Sequence, residues 1–233
     1  MSLQAIVFLG KKGDSFCELE ARALLRKHPN SVVHLGNRLD GISLDWTDLK
    51  GDLLISYLCP WVIPQDVLDR FEQAINFHPG SENYPGIGCT NFALFHNEEE
   101  FGVTAHFMKA KVDTGAIIKV NTFPIEQCDT VKSLTDKCYI EINKLYKEIM
   151  KIWEEGESFP LSHLKWTRKP YTRKELNALC KIDASMDKAT MLRVIRAVSY
   201  QNYPGAYVEL NGLRFEYNPN LKSKKRKTNE LAK

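Results

Sequence analysis

Four short apolar runs, separated by stretches of helical character, constrain this chain most. They read "LQAIVFLG" (3–10), "SVVHLG" (31–36), "GDLLISYL" (51–58) and "AINFH" (74–78). Each is bounded by turn residues, as in buried strands. Between the first two lies "KKGDSFCELEARALLRKH", with Asp14 or Ser15 placed to cap a helix and Phe16, Leu19, Ala23 and Leu24 on one face. Between the third and fourth lies "PQDVLDRFEQ" (64–73), which opens on the proline suited to a helix N-terminus. Strands alternating with helices through short loops specify an α/β layer fold around a mostly parallel sheet. Such sheets carry their sites at the carboxyl ends of the strands. Asn76 and His78 lie at one such end, just before Pro79 and Gly80 break the strand. Two residues apart, they point the same way, while Phe77 points to the opposite face.

The rest of the chain extends this plan. "CTNFALFHNEEEFG" (89–102) reads as a helix, and "VTAHFM" (103–108) with "AIIKVNTFPI" (116–125) as a strand pair around "AKVDTG". Residues 129–156 form a long amphipathic helix, with Val131, Leu134, Cys138, Ile142, Leu145, Ile149 and Ile152 on one face, Asp129 as N-cap and Gly156 as stop. After residue 156 the texture changes. "ESFPLSHLKWTRKPYTRKEL" reads as an extended connector, "MDKATMLRVIRAVS" (186–199) as a helix, and "YVELNGLRFEY" (207–217) as a hairpin turning at Asn211-Gly212. The expected division is a main domain over 1–156, a small helix and β-hairpin appendage over 157–219, and a basic, disordered tail over 220–233. The hairpin edge is where a homodimer contact is expected.

Bulk properties exclude several classes. A net charge of +3 with 26% charged residues is too mild to mark a nucleic-acid protein. No apolar run approaches the ~18 residues a membrane span needs. "MSLQAIVFLG" lacks the basic start of a secretory signal. The six cysteines show no CxxC pair and no metal-like cluster with histidine, as in a reduced, cytoplasmic protein with no metal site.

Three pieces converge chemically. The fourth strand brings Asn76 and His78, and the turn "KVDTG" brings Asp113. A carboxylate beside an imidazole orients the ring and stabilises its protonated form. An amide donor beside both stabilises an oxygen that becomes negative during acyl transfer. No serine or cysteine nucleophile is required, so the acyl group must arrive already activated. "INFHPG" followed by "GVTAHFMKAKVDTGAII" resembles the folate-dependent formyltransferase family, whose signature runs Asn-x-His-Pro, Gly-Val-Thr-x-His, then Val/Leu-Asp-x-Gly. The resemblance covers roughly residues 51–125. It implies a Rossmann-like formyltransferase domain, 10-formyltetrahydrofolate as donor, and catalytic roles for Asn76, His78 and Asp113. In the implied mechanism an amine attacks the formyl carbon, Asn76 and protonated His78 steady the oxygen, and Asp113 holds His78. "YLCPWVIP" (57–64) falls where family members line the folate pocket, which implies donor contacts from Leu58, Trp61 and Ile63, and the turn adds Val112 and Asp113. His106, inside the Gly-Val-Thr-x-His motif, is open to either a structural or a catalytic role.

The acceptor reading rests on departures from relatives. The chain has "GSENYPGIGCTNFAL" (80–94) where methionyl-tRNA enzymes resemble one another in a Tyr-Arg-Gly loop, and it lacks that arginine. "FLGKKGDSFCE" lacks the Gly-Ser-Asn loop of the ribonucleotide enzymes. The remaining branch implies a nucleoside-diphosphate amino-dideoxy sugar as acceptor, with Lys11, Lys12 and Tyr84 as candidate contacts. The alternatives are another amine (methionyl-tRNA or a ribonucleotide) and a non-catalytic folate-binding module.

Overall fold

The computed structural model describes residues 5–38, 46–200 and 205–218. The expected basic tail at 220–233 lies outside them. Chain order is β1 (Ile6–Lys11), α1 (Ser15–Lys27), β2 (Val32–Gly36), β3 (Gly51–Tyr57), α2 (Gln65–Leu68), β4 (Phe71–His78), α3 (Cys89–His96), β5 (Glu100–Phe107), β6 (Ile117–Pro124) and α4 (Val131–Glu154). There follow α5 (Arg173–Leu179), α6 (Lys188–Val198), β7 (Tyr207–Leu210) and β8 (Leu213–Glu216). The strands β2-β1-β3-β4-β5-β6 form one sheet. The pairs β1–β2, β1–β3 and β3–β4 are parallel, while β4–β5 and β5–β6 are antiparallel. This is the α/β, Rossmann-like arrangement with a mostly parallel sheet that the alternation of runs anticipates.

Both faces of the central strands are buried, as parallel strands covered by helices require. Ile6, Phe8, Leu53, Ile55, Tyr57, Ile75 and Phe77 face one core, which also takes Leu134, Cys138, Ile142, Leu145 and Ile149 of α4. Phe8, Tyr57, Phe77 and Tyr146 form an aromatic cluster at its centre, with ring separations of 5.4–6.0 Å. Val7, Leu9, Leu54, Ile63, Val67, Leu68 and Phe71 make the smaller core on the other face.

Three boundaries differ from the sequence expectation. The helix expected over 64–73 stops at Leu68, because Phe71 onward pairs in register with β3 as part of β4. The helix expected over 89–102 ends at His96, where Asn97 adopts a left-handed conformation (φ 55°) and β5 begins three residues later. The N-cap of α4 is Thr130 instead of Asp129: the Thr130 side chain accepts from the Ser133 N–H, and Ser133 answers the Thr130 N–H. Asp129 stands one residue outside, accepting from the Ser133 hydroxyl and the Glu126 N–H and pairing with Lys137.

The connector after α4 runs back toward the sheet before α5 begins at Arg173. Its Phe159 and Tyr171, with Cys180, Ile182, Val194, Ala197, Val198 and Ala206 beyond it, are buried in the same core as the sheet. The hairpin turns at Asn211 and Gly212, both at positive φ (51° and 78°), as an Asn-Gly turn favours. Leu210, Leu213, Phe215 and Tyr217 of this hairpin, on which the expected homodimer contact falls, are exposed. Among the described residues, no helix is long and apolar enough to cross a membrane.

Candidate active site

The site is assembled by sheet register. Asn76 on β4 lies beside Ser56 on β3 and His106 on β5. Residues directly opposite on neighbouring strands share a face, so the three side chains form a row. Two residues on, His78 reaches the carboxyl end of β4. Asp113 arrives from the β5–β6 turn in a left-handed conformation (φ 48°). Gly115 lets this turn close: a Cβ there would meet the Phe107 carbonyl at 1.7 Å.

The Asp113 carboxylate is the hub. Its Oδ2 is 3.3 Å from His78 Nδ1 and accepts the Gly86 N–H at 2.7 Å, and its Oδ1 is 3.3 Å from His106 Nε2. Gly86 can take this place because its φ is +91° and its α-carbon packs on Tyr171, where a Cβ would meet the backbone at 2.4 Å. His78, His106 and Asp113 are all buried. Burial alone would raise the Asp113 carboxyl, but the facing charge of His78, the hydrogen bond and charge of His106 and the Gly86 N–H outweigh it. Together they hold Asp113 down at about 2.

Each ring's partners assign its protons. His78 Nε2 lies 2.9 Å from the Tyr84 carbonyl, and Nδ1 faces Asp113. Both ring nitrogens therefore face oxygen acceptors of the protein. His106 Nδ1 donates to the Phe107 carbonyl at 2.8 Å, and its Nε2 lies 3.1 Å from Asn76 Nδ2. Because His78 Nε2 is directed at the Tyr84 carbonyl, the amide of Asn76 is the donor with a hydrogen still to offer a ligand. Trp166, from the connector, sets its ring edge-on against both histidines at 5.8 and 5.1 Å and donates its indole N–H to the Gly115 carbonyl at 2.8 Å.

These groups open into a cavity of about 420 Å³. Asn76, His78, His106 and Asp113 line it, together with Leu58, Trp61, Ile63 and Val112, so the expected donor contacts and the expected reacting groups share one cavity. Its other walls include Cys59, Val62 and Met108, with the exposed cations Arg38 and Lys109. Two features suit it to a flat heteroaromatic ring. Leu58 and Asp113, non-glycine residues held at positive φ, place main-chain groups along the wall, and such strain gathers at ligand sites. The Trp61 indole Nε1 is buried with no hydrogen-bond partner among the described residues. The Cys59 thiol is pushed up to about 11 by burial, which suits packing more than chemistry.

The proposed acceptor contacts fall differently. Lys11 Nζ donates to the Tyr139 hydroxyl at 3.1 Å, and Tyr139 lines a second cavity of about 310 Å³. Burial opposes the charge on Lys11, but Tyr139 and Asp14 more than compensate and raise its pKa. Lys12 is exposed and uses its backbone N–H on the Gly36 carbonyl. Tyr84 does not present its ring to a ligand. It is buried, donates its hydroxyl to Glu98 at 2.6 Å, meets His96 at 3.0 Å and stacks on Tyr171. A tyrosine between Asn83 and Pro85 reads as a loop residue, but the aromatic shelf of Tyr171 and Phe101 draws it inward. What Tyr84 gives the site is its carbonyl. Ser56, the Gly86 N–H, the Tyr84 carbonyl and Trp166 escape sequence reasoning. Two are main-chain groups, one depends on register, and one comes from a distant connector. Among the described residues, no group of His, Cys, Asp or Glu is arranged to hold a metal.

The sequence matches the family described as formyl transferase over residues 38–150. Methionyl-tRNA formyltransferase of Hydrogenobaculum sp. is 31% identical over 166 residues, which are 69% of this chain and 52% of that protein. The chain thus spans about half the length of the curated relatives it matches. A sugar N-formyltransferase from Shewanella sp. superposes with a TM-score of 0.73 at 18% identity, covering 92% of this chain and 96% of that one. An N-formyltransferase from Helicobacter canadensis, solved with folinic acid and dTDP-3-aminofucose, superposes with a TM-score of 0.68 at 20% identity, covering 90% and 85%. Motif order and fold agree with the match, which identifies residues 38–150 as a formyl transferase domain.

Proposed function

We propose that this chain is an N-formyltransferase that moves a formyl group from 10-formyltetrahydrofolate to the primary amine of a nucleoside-diphosphate amino-dideoxy sugar. The observation that carries the reading is the Asn76, His78, His106 and Asp113 cluster on the floor of an apolar-walled cavity. Leu58, Trp61, Ile63 and Val112 would hold the folate ring system there. The donor supplies an activated formyl carbon for the amine to take. The remaining work falls to the protein. The free N–H of Asn76 meets the oxygen that turns negative. The His78 ring, held between Asp113 and the Tyr84 carbonyl, stands beside Asn76 at the reacting centre, and the proton that the amine loses passes to the departing folate nitrogen. In this reading residues 1–156 are the catalytic segment, and the appendage 157–219 closes over it through Trp166 and Tyr171.

The second cavity supports the acceptor class. It shares Ile87 with the first and adjoins Lys11 through Tyr139. Among the described residues Arg173 is the one charged residue lining it, and no carboxylate there lies within ion-pair distance of it. Tyr139 and Tyr200 add aromatic rings and Thr135 a hydroxyl. A cationic and aromatic lining suits a nucleotide. A second reading, methionyl-tRNA as acceptor, draws on the 31% identity to those enzymes. Mass spectrometry separates them, using 10-formyltetrahydrofolate with 3-amino and 4-amino dideoxysugars on thymidine, uridine and guanosine diphosphates, glycinamide ribonucleotide and charged methionyl-tRNA. A formylated nucleotide sugar is the expected product. Formylation of the tRNA or ribonucleotide alone would replace the acceptor, and folate binding without product would leave a binding module.

A further inference from the structure

Asn76 has two ends, and an amide turned the wrong way would present a carbonyl to a negative oxygen. Its orientation is set by neighbours on both sides. On β5, the Phe107 carbonyl can only accept, so His106 carries its proton on Nδ1. The end of Asn76 that faces His106 Nε2, at 3.1 Å, is its amide nitrogen. On β3, the Ser56 hydroxyl donates to Asn76 Oδ1 at 2.7 Å. Ser56 is 3% exposed and His106 2%, so water cannot readily replace either partner.

We propose that Ser56 is a positioning residue: by donating to Asn76 Oδ1 it locks the amide with its second N–H turned toward the donor cavity. This rests on the formyl-transfer reading for its kinetic consequence, though not for its structural one. Without the hydroxyl the amide oxygen loses the donor that the structure gives it, and the side chain is free to turn about its last torsion. His106 alone then holds one end, from the opposite strand.

The test compares the full chain with Ser56→Ala, Asn76→Ala and the double variant. Ser56→Ala is expected to lower kcat roughly 10- to 100-fold, the range that misplaced catalytic groups show. KM for donor and acceptor should stay within about twofold of wild type, since Ser56 holds a group that acts on the reacting atoms. In the Asn76→Ala background the same change should cost nothing further, because the two act as one unit. Ser56→Thr, which restores the hydroxyl, should recover most of the rate. By NMR, the side-chain amide of Asn76 should give two distinct, slowly exchanging protons in the wild type and lose that protection in Ser56→Ala. Full kcat in Ser56→Ala, additive losses in the double variant, or an unchanged Asn76 amide signal would overturn the proposal. A wild-type protein that formylates no amine but shows the protected amide, lost in Ser56→Ala, would instead sink the formyl-transfer reading and leave the positioning claim standing.

Discussion

Two histidines share one carboxylate, and at the scale of the residue that sharing defines the site. Asp113 is held at about 2 although burial works against its charge. Its folded-state pKa lies below the ordinary value of 3.8, so the stability it lends is complete above about pH 4 and is lost as pH falls toward 2. A shift of this size corresponds to about 2 kcal/mol. Asp113→Asn should therefore flatten the loss of stability between pH 4 and 2 relative to wild type, read as urea midpoints across that range. Equal pH slopes for the two proteins would show that the pairing carries no such weight. The same value predicts that Asp113 stays ionised above about pH 4, so an acid limb in formyl transfer above that pH would belong to another group. Asn76, His78 and Asp113 were legible because each sits in a short motif whose residue types have few other uses together. Ser56 was not, since a serine inside "LLISYL" looks like any strand serine until the register of β3 against β4 is known.

At the scale of the element, caps and registers decide what periodicity leaves open. The apolar face of α4 was readable residue by residue: Leu134, Cys138, Ile142 and Leu145 are each fully buried. Its first residue was not, because Asp129 and Thr130 are both good N-caps. Thr130 takes the role by adopting an extended backbone (φ −107°, ψ 171°), which aims its hydroxyl at the Ser133 N–H. Thr130→Ala should lower stability by about 1 kcal/mol, the usual worth of such a cap. A urea midpoint unchanged from wild type would mean that Asp129, which already holds Ser133, caps the helix in its absence. The helix expected over 64–73 failed for a related reason. Phe71 and Glu72 suit a helix locally, but pairing along β3 gains a buried aromatic and a run of ladder hydrogen bonds.

At the scale of the whole molecule, the C-terminal segment is tied to the site. Trp166 packs on both histidines, and Tyr171 stacks on Phe92 at 3.7 Å while its carbonyl accepts the Ile87 N–H. Arg196 on α6 donates to the carbonyls of Asp129 and Glu126, and Asn91 on α3 donates to the carbonyl of Ala197. Sequence texture changes at residue 157, but the core runs across that boundary, since burial of a few scattered aromatics in a polar connector leaves no periodic trace. The account as a whole stands on one chemical claim, that this cluster transfers a formyl group to an amine. The most direct test is single-turnover transfer of a carbon-13-labelled formyl group from 10-formyltetrahydrofolate, followed by mass spectrometry in wild type and in His78→Asn. The account predicts labelled amide from the wild type and a rate about 100-fold lower or less in the variant, with folate still bound. Equal rates in the two proteins would contradict it.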